Sequence, residues 1–216
     1  MVDKKVIEKA VAETLADGKG KRKFKQSIDI ALNFNKDVDF KKAENRLNVD
    51  VMLPNPPKLY KVAVFADGQV ALEAKNAGAD LIISGADIGK LAGDKAAVNQ
   101  LLGCAILSVP QFIAQVGKAF GQSLAGKGKS PKPIVPNADV KDTIRRARST
   151  ISIRSRGKYL PTVHCIVGRE DMEASAIADN VLAVLEAIEK KIPEQKMSSL
   201  FIKTTMGKPV RITLGV

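Results

Sequence analysis

Four apolar residues, Ile28, Ile30, Leu32 and Phe34, alternate with Asp29, Ala31 and Asn33. A period of two predicts a strand with one buried face. Leu47, Val49, Val51 and Leu53 repeat the pattern and predict a second strand, which Pro54-Asn55-Pro56-Pro57 ends because proline cannot donate to a ladder. Before them, Val6, Ile7, Ala10, Val11 and Leu15 recur at helical spacing, predicting a helix over 3–16 that Gly18 stops.

Near residue 61 the style changes. Val62 to Ala66, Leu81 to Ser84 and Ala105 to Val109 are continuous apolar runs, as expected of parallel strands buried on both faces. Helical patterns separate them at about 68–77, 94–102 and 111–120, and a basic helix is expected over 139–149. Gly121 to Asn137 reads as a loop rich in Gly, Lys and Pro. The opening style then returns: a strand over Leu160 to Val167, an amphipathic helix over Asp171 to Lys191, and a last strand over Leu200 to Thr205.

Neither end of the chain has the apolar content for a core of its own. The pattern therefore predicts an α/β protein of two domains. One is a discontinuous α+β domain formed by both chain ends, residues 1–66 and 154–216. The other is an inserted Rossmann-like three-layer α/β domain, residues 67–153. Two crossings, near 60–67 and 150–158, would link them and permit hinge motion.

Charge turns this outline toward a partner. The chain has 35 Lys+Arg against 23 Asp+Glu, a net charge of +12 and a pI near 9.7. Such a balance points to a polyanion. An anionic membrane is the weaker choice, because no apolar run approaches the ~20 residues of a spanning helix. No signal core or lipidation motif is visible either, so an intracellular, soluble protein is expected.

Candidate chemistry is thin. Gly121-x4-Gly126-Lys127 follows most of a phosphate-loop motif, but Gly128 stands where Ser or Thr should hold Mg²⁺, and a helix pattern precedes it. Asp67-Gly68-Gln69-Val70 follows the first apolar run without the dinucleotide-binding glycines. Asp80, Asp87 and Asp94 fall where helix caps are expected. Cys104 and Cys165 read as small buried hydrophobes, and His164, the one histidine, as structural. The sequence predicts no enzyme, no metal and no cofactor.

The cations are more telling. Lys19-Gly20-Lys21-Arg22-Lys23-Phe24-Lys25 precedes the first strand without an acid. Lys127, Lys129 and Lys132 stud the later loop. Lys21, Arg22, Lys25, Lys127, Lys129 and Lys132 are expected as secondary phosphate contacts. Aromatics are only 4%, so recognition through shape, phosphates and 2′-hydroxyls is favoured over base stacking. In Ser199 to Pro209, Thr hydroxyls, Met206 and Gly207 supply groups suited to a sugar, although a strand end and turn would use the same residues.

Four segments carry a family resemblance: Phe24-Lys25-Gln26-Ser27-Ile28-Asp29, Asp39-Phe40-Lys41-Lys42, Gly126-Lys127-Gly128-Lys129-Ser130-Pro131-Lys132-Pro133 and Thr204-Thr205-Met206-Gly207. With them the whole chain resembles the universal ribosomal protein L-one family of the large subunit, in its archaeal and eukaryotic branch. Ser130 departs from the Met usual there. The resemblance implies a discontinuous first domain that binds large-subunit rRNA and a Rossmann-like second domain. It also implies a place in the mobile lateral stalk, where deacylated tRNA leaves the exit site. A third implication is repression of translation from the protein's own mRNA. Carried onto this chain, the RNA-facing residues are Lys23, Phe24, Ser27, Ser199, Thr205, Met206 and Gly207. The expected partners are large-subunit rRNA, exit-site tRNA and the protein's own mRNA. The protein would be a monomer when free and cytoplasmic on the ribosome.

Overall fold

A computed structural model of the chain describes residues 3–40, 42, 45–126, 128–135, 139–155 and 161–213. It is a mixed α/β protein that divides into two compact units, one joining Met1–Lys58 to Ser149–Val216, the other Leu59–Arg148.

The first unit is built on an antiparallel sheet. It contains α1 (Lys4–Gly18), β1 (Ser27–Phe34), β2 (Asn48–Met52) and, beyond the insertion, the later elements of the chain. To number those in chain order, the inserted unit runs β3 (Val62–Phe65), α2 (Gly68–Asn76), β4 (Leu81–Ile83), α3 (Ile88–Gly93), α4 (Lys95–Gly103), β5 (Ala105–Ser108), α5 (Pro110–Gly126), β6 (Lys132–Pro133) and α6 (Val140–Ser149). The first unit resumes with β7 (Thr150–Arg154), β8 (Thr162–Arg169), α7 (Ala174–Glu189), β9 (Met197–Thr204) and β10 (Val210–Ile212).

Its main sheet has the order β10-β9-β1-β8, all antiparallel, and β2 pairs with β7 as a separate two-stranded ladder. Alternation in β1 sends Ile28, Ile30, Leu32 and Phe34 to the core and leaves Ser27, Asp29, Ala31 and Asn33 on a half-buried outer face. Ile7 and Val11 of α1 and Ile177, Val181, Val184 and Ile188 of α7 are fully buried and cover the inner face. The helix α7 lies close on β8: a Cβ on Gly168 would stand 2.8 Å from Ile177 Cγ1. Within the apolar stripe of α7, Asn180 is completely buried. Its Oδ1 accepts from Asn55 N (2.9 Å), and its Nδ2 donates to Val167 O (2.7 Å) and to Asn55 O.

The inserted unit is a parallel sheet, order β4-β3-β5-β6, between two helical layers. The strands β3, β4 and β5 form one core with α3, α4 and α5 on one face, through Phe65, Ile83, Ile106, Val116 and Phe120. On the other face Val62, Val64 and Leu107 pack with Ala74, Val140 and Ile144 of α2 and α6. Strand order reverses between β3 and β5, where folds of this class bind ligands outside the strand ends. There Gly85 N donates to the Asp67 carboxylate (3.1 and 3.3 Å), and the Phe112 ring lies so near Gly85 that a Cβ would meet it at 2.6 Å. The protein's own side chains occupy that corner.

Several expectations are corrected. The first apolar run is β3, the centre of the parallel sheet, so the units divide at 58/59 rather than 66/67. Thr150 to Arg154, expected within a crossing, is β7 and pairs with β2, which moves the second boundary to 148/149. The expected loop from Gly121 begins as helix: α5 continues to Gly126, so the phosphate-loop-like glycines Gly121 and Gly126 are helical. Gly128, at φ +64°, closes that helix, its N–H bonding to Ala125 O, and β6 then pairs with β5. The short elements α3 and β10 were not expected. Of the aspartates expected as caps, Asp94 does cap α4, accepting from Ala96 N (2.8 Å). Asp80 instead holds Val62 N and Arg148.

Candidate nucleic-acid interface

Of the sequence-predicted residues, Lys23, Phe24, Ser27, Thr205, Met206 and Gly207 lie in or beside the start of β1 and the end of β9. The segment Lys19 to Lys25, between α1 and β1, is exposed throughout. Lys21 pairs with Asp17 (3.2 Å) and Lys25 with Asp171 (2.9 Å). Among the described residues Lys19, Arg22 and Lys23 have no carboxylate partner. Phe24 is 52% exposed at the edge of this segment.

From the other end of the chain, Thr204 to Gly207 forms a tight turn in which Gly207 N bonds to Thr204 O (3.1 Å). Its corner residue Met206 is 59% exposed. Thr205 N donates to Ser27 O (3.0 Å), and the Thr205 hydroxyl both accepts from Ser27 N and donates to Ser27 O, each at 3.2 Å. Met206 N donates to Gln26 Oε1 (3.0 Å), and Lys208 N donates to Asp17 Oδ2 (3.2 Å). Four successive amides, from Thr205 to Lys208, are thus spent on the protein itself. Phe24 lies two residues before Gln26, whose side chain accepts from Met206 N.

Ser199 is elsewhere. It lies six residues before Thr205 along an extended strand, about 20 Å away at ~3.3 Å per residue. It therefore does not join a single packed patch with Gly207. Equal parity nevertheless puts Ser199, Phe201, Lys203 and Thr205 on one side of the chain, the outer side that Ser27 and Asn33 also share. Ser199 Oγ accepts from Asn33 Nδ2 (3.0 Å), and Asn33 Oδ1 accepts from Thr162 Oγ1 (2.9 Å), a polar ladder across three strands. Gly207 has its own structural reason: a Cβ there would overlap Thr204 Oγ1.

The later cationic loop belongs to the inserted unit. Lys129 Nζ donates to Cys104 O (2.8 Å), and burial holds Lys129 below the usual lysine range. It is a clip on the corner between α4 and β5. Lys132 stands in β6, and Lys127 lies outside the described residues.

Electrostatics on the outer face centre on Asp29. Burial raises its carboxyl above the ordinary range, while Lys203 and His164 partly offset this. Sequence reading passed over Asp29 as a site residue; its signal was an acid on the outer parity of a strand beside basic neighbours. A group with a raised folded pKa stabilises most below its unfolded value, and that contribution is lost as pH rises through the folded pKa. Asp29→Asn should therefore raise the melting temperature at pH 7 relative to wild type, with the advantage shrinking toward pH 4. Equal wild-type and variant curves at both pH values would contradict this. Asp17 and Asp171 are held below the usual carboxylate range, the first by the Lys208 amide and then Lys21, the second by Lys25. Burial, with Asp29 nearby, pushes the Cys165 thiol up to about 12, so it stays protonated. Among the described residues no group of His, Cys, Asp or Glu is arranged to hold a metal, and no helix is long and apolar enough to cross a membrane.

The model of the ribosomal protein L1p/L10e family matches residues 12–208, nearly the whole chain. The chain belongs to that family. It is similar to the large ribosomal subunit protein uL1 of Archaeoglobus fulgidus, 39% identical over 221 residues that cover 98% of this chain and 99% of the relative. The uL1 of Thermofilum pendens is 38% identical over 214 residues, 97% of this chain and 94% of its own. That of Methanococcoides burtonii is 37% identical over 217 residues, 98% and 100%. Membership makes this chain an rRNA-binding structural component of the large subunit of the cytoplasmic ribosome and not an enzyme.

Proposed function

We propose that the antiparallel unit grips folded large-subunit rRNA through the turn Thr204–Gly207, Ser27 and the exposed segment Lys21 to Lys25. In this reading the discontinuous unit is the RNA-binding domain. The inserted Rossmann-like unit accompanies movement of the lateral stalk as deacylated tRNA leaves the exit site. The same surface binds an rRNA-like site in the protein's own mRNA and represses its translation.

One observation carries the reading. The turn's amides are consumed internally, and the Thr205 hydroxyl proton goes to Ser27 O, so what the turn has left for a ligand is acceptor oxygens rather than donors. Acceptors suit ribose 2′-OH donors rather than phosphates. Phosphates fall instead to the adjacent cations, Lys23 and Arg22 first, because no acid neutralises them among the described residues. Phe24 and Met206 supply apolar contact beside the sugar.

Two linked measurements test this. Thr205→Ala removes the hydroxyl bridge to Ser27 and should weaken binding to large-subunit rRNA by about 1–3 kcal/mol. Its salt dependence should not change, since no phosphate contact is lost. Replacing the RNA by its 2′-deoxy counterpart should cost more for wild type than for the variant. Undiminished affinity of T205A, with equal deoxy penalties, would remove the assignment.

A further inference from the structure

We infer that Gln26, which is 1% exposed and cannot itself touch RNA, is the residue that positions the RNA-facing turn. The inference rests on the RNA-binding reading above and names what holds that surface in shape.

Both ends of one buried amide are used. Gln26 Oε1 accepts from Met206 N (3.0 Å), while Nε2 donates to Gly18 O (2.7 Å), at the end of α1, and reaches Glu170 Oε2 (3.5 Å), just beyond β8. Its main-chain oxygen accepts from Glu170 N (3.0 Å). A single side chain thus ties the start of β1 to a helix end, a strand exit and the turn. Only a group with donor and acceptor on one amide satisfies this pattern. A carboxylate there would lack the donor and face both Gly18 O and Glu170. A thioether would leave Met206 N–H and Gly18 O without their partner.

The surroundings leave the turn little freedom to find other bonds. Thr204 is fully buried beneath it, pinched between two glycines: a Cβ on Gly18 would come within 2.5 Å of Thr204 Oγ1, and one on Gly207 would overlap the same oxygen. Thr204 Oγ1 is buried with no hydrogen-bond partner among the described residues. The hydroxyl acts here as a wedge. With Thr204 fixed below and Thr205 bonded to Ser27, the Gln26–Met206 bond sets where the Met206 side chain and the turn's carbonyls point.

The test uses the full chain with Gln26→Met, of similar length and without either polar atom. Amide hydrogen exchange is followed by NMR, and affinity is measured with purified large-subunit rRNA. Met206 N–H should exchange at least tenfold faster, with Leu200 and Ile202 amides of the same strand unchanged. Affinity should fall roughly tenfold, with the slope of log K against log salt unaltered, because phosphate contacts remain. A general loosening of the strand, in which all three amides speed up together, would mean a merely structural role and overturn the inference. So would unchanged affinity despite a faster Met206 amide. If Q26M does not fold, wild-type exchange decides: protection of Met206 N–H no greater than that of an exposed loop amide sinks the idea. Phe24→Ala separates the two levels. Affinity lost in F24A but kept in Q26M removes Gln26 alone; affinity kept in both removes the RNA surface itself.

Discussion

Asn180→Ala is expected to cost about 3–5 kcal/mol of stability, the sum of an emptied core site and several stranded polar groups. Asn180 is the one polar residue in the buried stripe of α7, and its amide satisfies Asn55 N, Asn55 O and Val167 O. Alanine leaves those backbone groups in the interior without partners. A buried unsatisfied group costs ~1–3 kcal/mol, and a domain's whole margin is ~5–15 kcal/mol, so the variant should lie near the edge of folding. Asn180→Asp retains the acceptor for Asn55 N but loses the donors and brings a charge against Val167 O. It should be at least as harmful at neutral pH. Urea unfolding of the full chain measures both. A loss below about 1 kcal/mol would mean that water enters and replaces the side chain.

Gly207→Ala should damage binding more than any other single methyl on the surface. No left-handed backbone requires glycine at 207: among the described residues the positive-φ glycines are Gly20, Gly68, Gly78 and Gly128. The obstacle is steric, since the new methyl would overlap Thr204 Oγ1 in a site closed from beneath by Gly18. Forcing such an overlap typically costs ~1–3 kcal/mol. The backbone of the turn must move to accept it, carrying the exposed Met206 with it. RNA affinity should therefore fall about ten- to a hundredfold, which is ~1.4 to 2.8 kcal/mol at 1.4 kcal/mol per decade. Gly117→Ala is the control. It lies in α5 with nothing within 4 Å of its new Cβ, and alanine in a helix is up to about 1 kcal/mol better than glycine. That variant should be unchanged in affinity and no less stable. Equal affinities for G207A and wild type would show that the turn can shift without consequence for RNA.

What could be read from the chain by itself was whatever depends on near neighbours. Alternation over Ile28 to Phe34 gives β1 its faces because side chains on a strand point to opposite sides every residue. The 3.6 spacing of Ile177, Val181, Val184 and Ile188 likewise specifies the buried side of α7. The exposed cations of Lys19 to Lys25 were legible because a run of like charge has no interior to enter. Short or edge elements were not. Thr150 to Arg154 is a strand because β2 supplies its partner, and the glycines Gly121 and Gly126 are helical because Phe120 and Leu124 are held in the core beside them. Propensity could not weigh either contact.

The candidate site divides in the same way. Phe24, Ser27, Thr205 and Met206 stand out by type, and family motifs point at them. That Met206 is bonded to Gln26, 180 positions away in sequence, and that Thr204 is wedged between Gly18 and Gly207, follows only from the antiparallel register of β1 with β9 and the packing of α1 against them. Hydrophobic period and charge are local properties and survive in one dimension. Which amides are spent and which oxygens remain to face a ligand is decided by partners that the folded chain brings together.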